Sequence, residues 1–171
     1  MKRWLVAGLA TLGLLALDQA SKLWAAASLP RDRVEVVISG FFELHYTQNR
    51  GAFFSLGAEL GEGLRRVLFI GATILAVGLM GRLYAKSEPR QGILRAALVM
   101  LTGGALGNLV DRVRMGEVID FLHLYWTGVF DWATFNLADV WITAGLVLLL
   151  VDLVVSRAPA APARTPTEEG T

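Results

Sequence analysis

Carboxylates interrupt the most apolar stretches of this sequence. Asp18, Asp111 and Asp139 each lie in a long run of Leu, Val, Ala and Gly, and Asp120 follows nine residues after Asp111. Ionisable groups in apolar segments are costly to bury and are candidates for function. Two carboxylates held close together at low dielectric share one proton, and such a pair can activate water and protonate a leaving amine. The spacing leaves open which two of the four aspartates form the pair.

Two of these aspartates have a cation nearby in the sequence. Asp18 and Lys22 are four residues apart, so on a helix they share one face and can pair. Arg112 adjoins Asp111 and is expected to keep it ionised. We interpret both pairs as structural ion pairs, which mildly favours the two aspartates without a neighbouring cation as the proton-sharing pair.

Amides and glycines accompany the aspartates. Asn108 precedes Asp111 by three residues, and Asn136 precedes Asp139 by three, so each amide shares a helical face with a carboxylate. Three glycines lie within residues 103–107 and are typical of helices that pack closely in membranes.

The composition excludes several classes of protein. The chain has 171 residues, of which 54% are hydrophobic and 18% charged, and its formal net charge is +1. This balance is that of a membrane protein and excludes a strongly basic nucleic-acid binder. Cysteine is absent, which excludes disulfides, thiol catalysis and thiolate metal sites. Mean hydropathy is +0.52.

A metal site would have to be built on two histidines. His123 stands three residues after Asp120, which is a helical spacing, and His45 is the only other histidine. Catalytic zinc usually takes three protein ligands, and the chain offers no third imidazole. We therefore expect no metal site.

Four apolar segments, residues 4–27, 64–84, 93–111 and 137–156, are each close to the length of about 20 residues that crosses a bilayer. Four buried helices of a soluble bundle are the alternative, but these segments lack amphipathic periodicity. The sequence predicts an all-α integral membrane protein with one domain over residues 1–156.

The first segment also has features of a cleaved secretory signal peptide. Residues 2–3 are basic, an apolar stretch follows, and residues 25–27 are small. Asp18 and Lys22 fall between the apolar core and this site, and the segment is long. We therefore expect an uncleaved span.

The lysines and arginines predict the orientation of the spans. They cluster before the first span, between the second and third, and after the fourth, so both termini are expected in the cytoplasm. Residues 28–63 and 112–136 then form outer loops. Alternating apolar residues within 34–46 predict a two-stranded sheet near the membrane surface. Residues 157–171 are expected to be a disordered cytoplasmic tail.

The aspartates fall at one predicted depth. With a rise of about 1.5 Å per residue, Asp18, Asp111 and Asp139 lie about 21, 24 and 27 Å from the inner boundary. All three are then in the outer third of a hydrocarbon core about 30 Å thick. Asp120, in the outer loop, can reach the same layer.

Two alternative functions remain open. One is a proton-relay or transport protein, although 171 residues is short for alternating access. The other is a non-catalytic membrane assembly factor.

Five ordered motifs in the chain resemble those of the lipoprotein signal peptidase (signal peptidase II) family. They are Asp18–Lys22, Asn49–Ser55, Gly103–Arg112, Gly116–Phe121 and Phe135–Asp139. The resemblance implies four transmembrane helices, a small extracytoplasmic β-sheet (cradle) and a short extracytoplasmic helix.

The resemblance also implies an activity. It implies an aspartic endopeptidase without metal or organic cofactor, located in the bacterial cytoplasmic membrane and monomeric. The implied substrate is a diacylglyceryl-modified prolipoprotein, cut immediately before its lipidated cysteine, and the implied inhibitor is the cyclic peptide globomycin.

The residue roles follow from the same resemblance. Asp120 and Asp139 match the family's catalytic aspartates. The residues matching those that bind substrate or inhibitor, or support the site, are Asp18, Lys22, Asn49, Gly51, Asn108, Asp111, Arg112 and Asn136.

Overall fold

A computed structural model describes residues 2–51 and 61–157 of the chain. Its four long helices are α1 (Lys2–Ser28), α2 (Glu62–Lys86), α3 (Gly92–Met115) and α4 (Leu137–Arg157). Each is long and apolar enough to cross a membrane, which confirms the four predicted spans. The third helix continues four residues beyond its predicted end, so Arg112 is helical and does not begin the outer loop.

The helices expose their large apolar side chains and bury their polar ones. Leu75 is 75% exposed and Val154 is 72% exposed, whereas Asp18 and Lys22 are almost fully buried. In water this arrangement would be unstable, but lipid tails are as apolar as leucine. The distribution therefore fits a bundle whose outer surface is covered by lipid.

The α3 helix lies at the centre of the bundle and packs against the other three helices. Its glycines make the close approach possible. Gly103 faces the side chain of Leu14 on α1, and Gly104 faces the backbone carbonyl of Ala138 and the side chain of Ile142 on α4. A side chain at either glycine would separate the helices, so these positions confirm the packing role predicted for them.

The segments that connect α1 to α2 and α3 to α4 form one antiparallel sheet of four strands in the order β1 (Glu35–Ile38), β2 (Phe42–Asn49), β3 (Val118–Trp126) and β4 (Phe130–Asp131). The prediction of two strands was incomplete. The β3 strand comes from the second outer loop and pairs with β2, and local alternation within one loop cannot reveal a partner so far away in the sequence.

A bulge in β2 determines which of its side chains lie on the same face of the sheet as Asp120. Leu44 pairs with Leu122 and Thr47 pairs with Asp120, so β2 has one extra residue between these pairs. The bulge reverses the alternation, and Asn49 therefore lies on the same face as Asp120. On β3 itself Asp120 and His123 lie on opposite faces, so the helical spacing considered for them was wrong.

Two expectations fall partly outside the described residues. The described parts of the outer loops, residues 29–51 and 116–136, contain no helix, and residues 52–60 lie outside the described part of the chain. The expected short extracytoplasmic helix is thus not located. The tail was expected from residue 157, but Arg157 is the last residue of α4 and residues 158–171 lie outside the description.

We predict that Gly104→Ala destabilises the protein. The new methyl group would meet the Ala138 carbonyl and the Ile142 side chain, and such overpacking costs about 1–3 kcal/mol. Thermal unfolding in detergent should show a Tm lower by roughly 3–10 °C. Gly71→Ala is the matched control, because a methyl group there meets nothing within 4 Å. An unchanged Tm for Gly104→Ala would contradict the close α3–α4 contact.

Candidate active site

A cavity of about 820 Å³ lies between α2, α3, α4 and the sheet. Its apolar lining combines small side chains on the three helices with larger ones from the sheet side, such as Phe130 and Trp132. Its polar lining lies at one end and comprises Asn49, Asn108, Arg112, Asp120 and Asp139. Two carboxylates from different elements therefore face one cavity, whereas Asp18 and Asp111, which were predicted at the same depth as Asp139, do not line it.

Asp120 is held in place by two amides. It is on β3 and only 2% exposed. Asn49 Nδ2 donates to Asp120 Oδ2 at 2.9 Å, and Asn136 Nδ2 donates to Oδ1 at 2.6 Å. The orientation of this carboxyl is therefore fixed by the bulged strand on one side and by the start of α4 on the other.

Asp139 belongs to a reciprocal cap at the start of α4. The Asp139 backbone N–H donates to Asn136 Oδ1 at 3.1 Å, and the Asn136 backbone N–H donates to Asp139 Oδ2 at 3.2 Å. The backbone N–H of Val140 donates to the Asn136 carbonyl, as expected when Asn136 is the N-cap. This is a capping-box arrangement, and the Asn-x-x-Asp spacing in the sequence could have identified it.

Asn136 joins the two carboxylates. Besides capping α4, it donates from Nδ2 to Asp120 and to Asn108 Oδ1, the latter at 3.1 Å. Asn108 in turn donates from Nδ2 to Asp139 Oδ1 at 2.8 Å. Side-chain amides thus donate to both carboxylates or to each other. Asn49, Asn108 and Asn136, the three predicted asparagines, all lie beside the two carboxylates.

Lys22 anchors this network from α1. Its ammonium group lies 3.0 Å from Asp18 Oδ2 and 2.8 Å from Asp111 Oδ2, and it donates to Asn108 Oδ1 at 2.9 Å. The Asp18–Lys22 pair confirms the prediction. The predicted Asp111–Arg112 pair is wrong, because adjacent helical residues point in different directions and Lys22 occupies the position beside Asp111.

The ammonium group also fixes which way the asparagine amides point. A lysine only donates, so Asn108 must turn its oxygen toward Lys22 and its N–H groups toward Asp139. The Asn108 oxygen then requires a donor from Asn136, which leaves the other Asn136 N–H for Asp120. Lys22 thus determines that Asn136, which it does not contact, donates a hydrogen bond to Asp120.

Asp18 and Gln19 connect α1 to the other elements. Asp18 Oδ1 accepts the backbone N–H of Ala138 at 2.8 Å, which satisfies a second N–H in the first turn of α4. Gln19 Nε2 contacts Asp18, the carbonyl of Gly107 and, at 3.0 Å, Asp111 Oδ1. Sequence reasoning did not select Gln19, although it adjoins Asp18, the one carboxylate of α1.

Arg112 lines the cavity beside the carboxylates. Its guanidinium contacts the carbonyl oxygens of Gly51 and Asn108 at 3.4 Å and lies over the ring of Phe69. No carboxylate of residues 2–51 or 61–157 lies within salt-bridge distance of it. Gly51 is positioned by its own N–H, which donates to Asn49 Oδ1 at 2.9 Å.

The pKa of Asp120 is raised from its ordinary 3.8 to about 6, chiefly because the carboxyl is buried. The hydrogen bond from Asn49 opposes this shift, and the nearby charge of Asp139 adds to it. A carboxyl with such a pKa holds a proton more readily than a free aspartate does.

Within the described residues no three His, Cys, Asp or Glu side chains group as metal ligands. Two neighbouring carboxyls, of which one binds a proton readily, can carry out acid–base chemistry.

Comparison with known proteins places this chain in a family. The sequence profile described as "Signal peptidase (SPase) II" matches residues 10–155. The lipoprotein signal peptidase of Geobacter sulfurreducens is 41% identical over 151 residues, which cover 88% of this chain and 92% of that protein. That of Methylobacterium sp. is 41% identical over 167 residues and covers 96% and 98% of the two chains.

Solved structures agree with the sequence matches. A bacterial membrane enzyme determined by the in meso method at 2.3 Å resolution superposes with a TM-score of 0.82 at 26% identity, over 94% of both chains. A second such enzyme, at 1.9 Å resolution, gives a TM-score of 0.76 at 28% identity, over 87% of this chain and 92% of that one. With the family profile covering most of its length, the chain belongs to the signal peptidase II family.

Proposed function

We propose that this protein is a membrane-embedded aspartic endopeptidase. It removes the signal peptide of diacylglyceryl-modified prolipoproteins immediately before the lipidated cysteine. Membership of the signal peptidase II family supports a protease that acts on prolipoproteins. The observation that carries the aspartic mechanism is the pair Asp120 and Asp139, bound to one buried asparagine at the polar end of an apolar cavity.

The two carboxyls would differ in their starting states. Asp139 lies in the first turn of α4, and a helix N-terminus favours negative charge. Asp120 lies on a strand and has a raised pKa of about 6. In our proposal Asp120 holds the shared proton and Asp139 is the base.

The catalytic steps follow from these starting protonation states. Asp139 takes a proton from water as the water oxygen attacks the scissile carbonyl. Asp120 gives its proton to the carbonyl oxygen. As the C–N bond breaks, Asp139 protonates the leaving nitrogen and Asp120 recovers a proton from a hydroxyl of the tetrahedral intermediate, which restores both starting states. Arg112, which has N–H groups facing the cavity, would orient a substrate carbonyl.

The apolar part of the cavity suits the lipid of such a substrate. Its walls are built from small side chains on three helices, namely Ala72, Thr73, Ala76, Ala105, Thr143 and Ala144. Small side chains leave room for acyl chains beside the scissile bond. Unwound substrate backbone is tolerated at membrane depth only where protein or a wet cavity can satisfy its polar groups, and the asparagines and Arg112 offer those partners.

The same geometry supports the remaining expectations. We propose that the protein lies in the bacterial cytoplasmic membrane with both termini inside and the site near the outer face. Basic residues at the helix ends opposite the sheet, such as Arg3, Lys86 and Arg95, have few acidic neighbours, whereas the arginines at the sheet end are accompanied by acidic residues such as Glu35, Glu43 and Glu117. Globomycin, a cyclic peptide, would inhibit by occupying the cavity. We also propose that the protein acts as a monomer.

We predict that Asp120→Asn and Asp139→Asn each lower the rate of precursor cleavage by at least about a thousandfold, because an amide cannot exchange the shared proton. The assay is release of signal peptide from a lipidated precursor by purified protein. Asp152→Asn is the control, since Asp152 is on α4 but not in the cavity lining. Substantial turnover by either folded variant, or proton flux without cleavage, would contradict the proposal and favour a non-proteolytic role.

The raised pKa of Asp120 also predicts a pH-dependent stability. Its folded value of about 6 exceeds the ordinary 3.8, so between these values the folded state binds more protons and stability falls as pH rises. The loss is about 3 kcal/mol at most. The Tm of the wild type minus that of Asp120→Asn should therefore decrease from pH 4 to pH 7. A constant or increasing difference would show that Asp120 does not hold the proton.

A larger side chain in the apolar wall should hinder lipidated substrate specifically. We predict that Ala76→Phe raises KM for a diacylated precursor by about tenfold or more, because the ring fills space that acyl chains need. Leu75→Phe is the matched control, because Leu75 adjoins it on α2 but faces outward, 75% exposed. Equal KM values for the two variants would place the lipid elsewhere.

A further inference from the structure

A second cluster of ionisable groups lies on the opposite face of the sheet from the cavity. His123 on β3 contacts a carboxylate through each ring nitrogen. Nδ1 lies 2.8 Å from Glu43 Oε1 on β2, and Nε2 lies 2.8 Å from Asp131 Oδ1 on β4. The side chains of His123 and Glu43 are each only 13% exposed, whereas that of Asp131 is 82% exposed.

Only the charged form of the ring can make both contacts well. An imidazolium ion donates from both nitrogens, whereas a neutral ring has one N–H and would turn a lone pair toward the second carboxylate. Burial by itself lowers the pKa of His123, but the hydrogen bonds with Glu43 and Asp131 outweigh it and raise the pKa above its ordinary value. The charged bridge therefore persists to a higher pH than a free histidine would allow.

Other groups near the ring come from the same two strands. The ring of Tyr125 stacks on His123 with centroids 5.5 Å apart, and the ring of His45 on β2 lies edge-on at 6.4 Å. With Glu43 and Asp131, these are the titratable groups of the described residues that contact or face His123. The carboxylates of Glu43 and Asp131 favour a proton on the His123 ring. His45, which lies beside that ring, provides a control position for substitutions.

Asp131 connects this cluster to the wall of the cavity. It lies between Phe130 and Trp132, and both of these aromatic residues line the cavity that contains the carboxylate pair. The β4 strand has only two residues, paired with Tyr125 and Trp126 across a tight turn at Gly128. So short a strand is weakly held by its backbone, and a side-chain anchor gains importance.

We propose that His123 is a positioning residue for substrate binding. By bridging Glu43 and Asp131 it holds the hairpin of residues 126–131 against the sheet and keeps Phe130 and Trp132 in the cavity wall. The inference rests on the proposed function only in taking that cavity as the substrate site. His123 and Asp120 lie on opposite faces of β3, so His123 affects how substrate is held and not the transfer of the proton.

The test compares three variants in the cleavage assay with lipidated precursor. His123→Gln cannot bridge both carboxylates and should raise KM about three- to tenfold with kcat within about twofold. His123→Arg keeps donors for both carboxylates at every pH, so its KM should stay constant from pH 6 to 9. The wild-type KM should rise over that range as the ring loses its proton. His45→Gln should behave as the wild type does.

Hydrogen exchange provides a readout that does not need activity. The amides of Val129 and Trp132 donate to the carbonyls of Trp126 and Leu124, and at one fixed pH their protection should fall in His123→Gln but not in His45→Gln. Unchanged protection would overturn the proposal, as would a loss confined to kcat. If the wild type cleaves no precursor but the hairpin amides still lose protection, the proposed function fails while the bridge is supported.

Discussion

The structure depends on one buried ammonium group. Lys22, 1% exposed, lies between Asp18 and Asp111 in a bundle whose outer surface is apolar. An isolated charge in such a place is strongly unfavourable, so the group is stable only with its partners in position. The two carboxylates accept further hydrogen bonds. Gln19 and the backbone N–H of Ile119 donate to Asp111, and the backbone N–H of Ala138 donates to Asp18. The cluster thus requires α1, α3, α4 and β3 to assemble together.

That requirement connects stability to the geometry of the site. The third hydrogen-bond donor of Lys22 goes to Asn108, whose amide reaches Asp139 and whose oxygen receives Asn136. A charged group outside the cavity therefore determines that donors, not acceptors, face both carboxylates of the proposed pair. A family of sequences could vary its lipid-facing residues freely, but a neutral residue in place of Lys22 would leave the direction of both amides undetermined.

Much of this could be predicted from the sequence because membranes restrict the possible structures. The length of the apolar segments gave the four spans, and the rise of a helix placed the aspartates at one depth. Three features could not be predicted. The pairing of β3 with β2 joins distant segments, the bulge before Thr47 reverses one strand's alternation, and Asp111 takes its cation from another helix. Each depends on contacts between segments, which periodicity within a segment does not contain.

The Asn136–Asp139 capping box shows why structural and functional readings of one motif need not exclude each other. The reciprocal bonds satisfy N–H groups that the start of α4 would otherwise leave unpaired, which is sufficient reason for these residue types. The same bonds hold one Asp139 oxygen rigidly and leave the other to Asn108, facing the cavity. If Asp139 is the base, as we propose, its place in a helix terminus holds it still during the reaction, and its negative charge is favoured there. In the proposed mechanism the cap therefore favours charge on Asp139 rather than on Asp120, which lies on a strand, and the two carboxyls differ in the way that a proton-sharing pair needs.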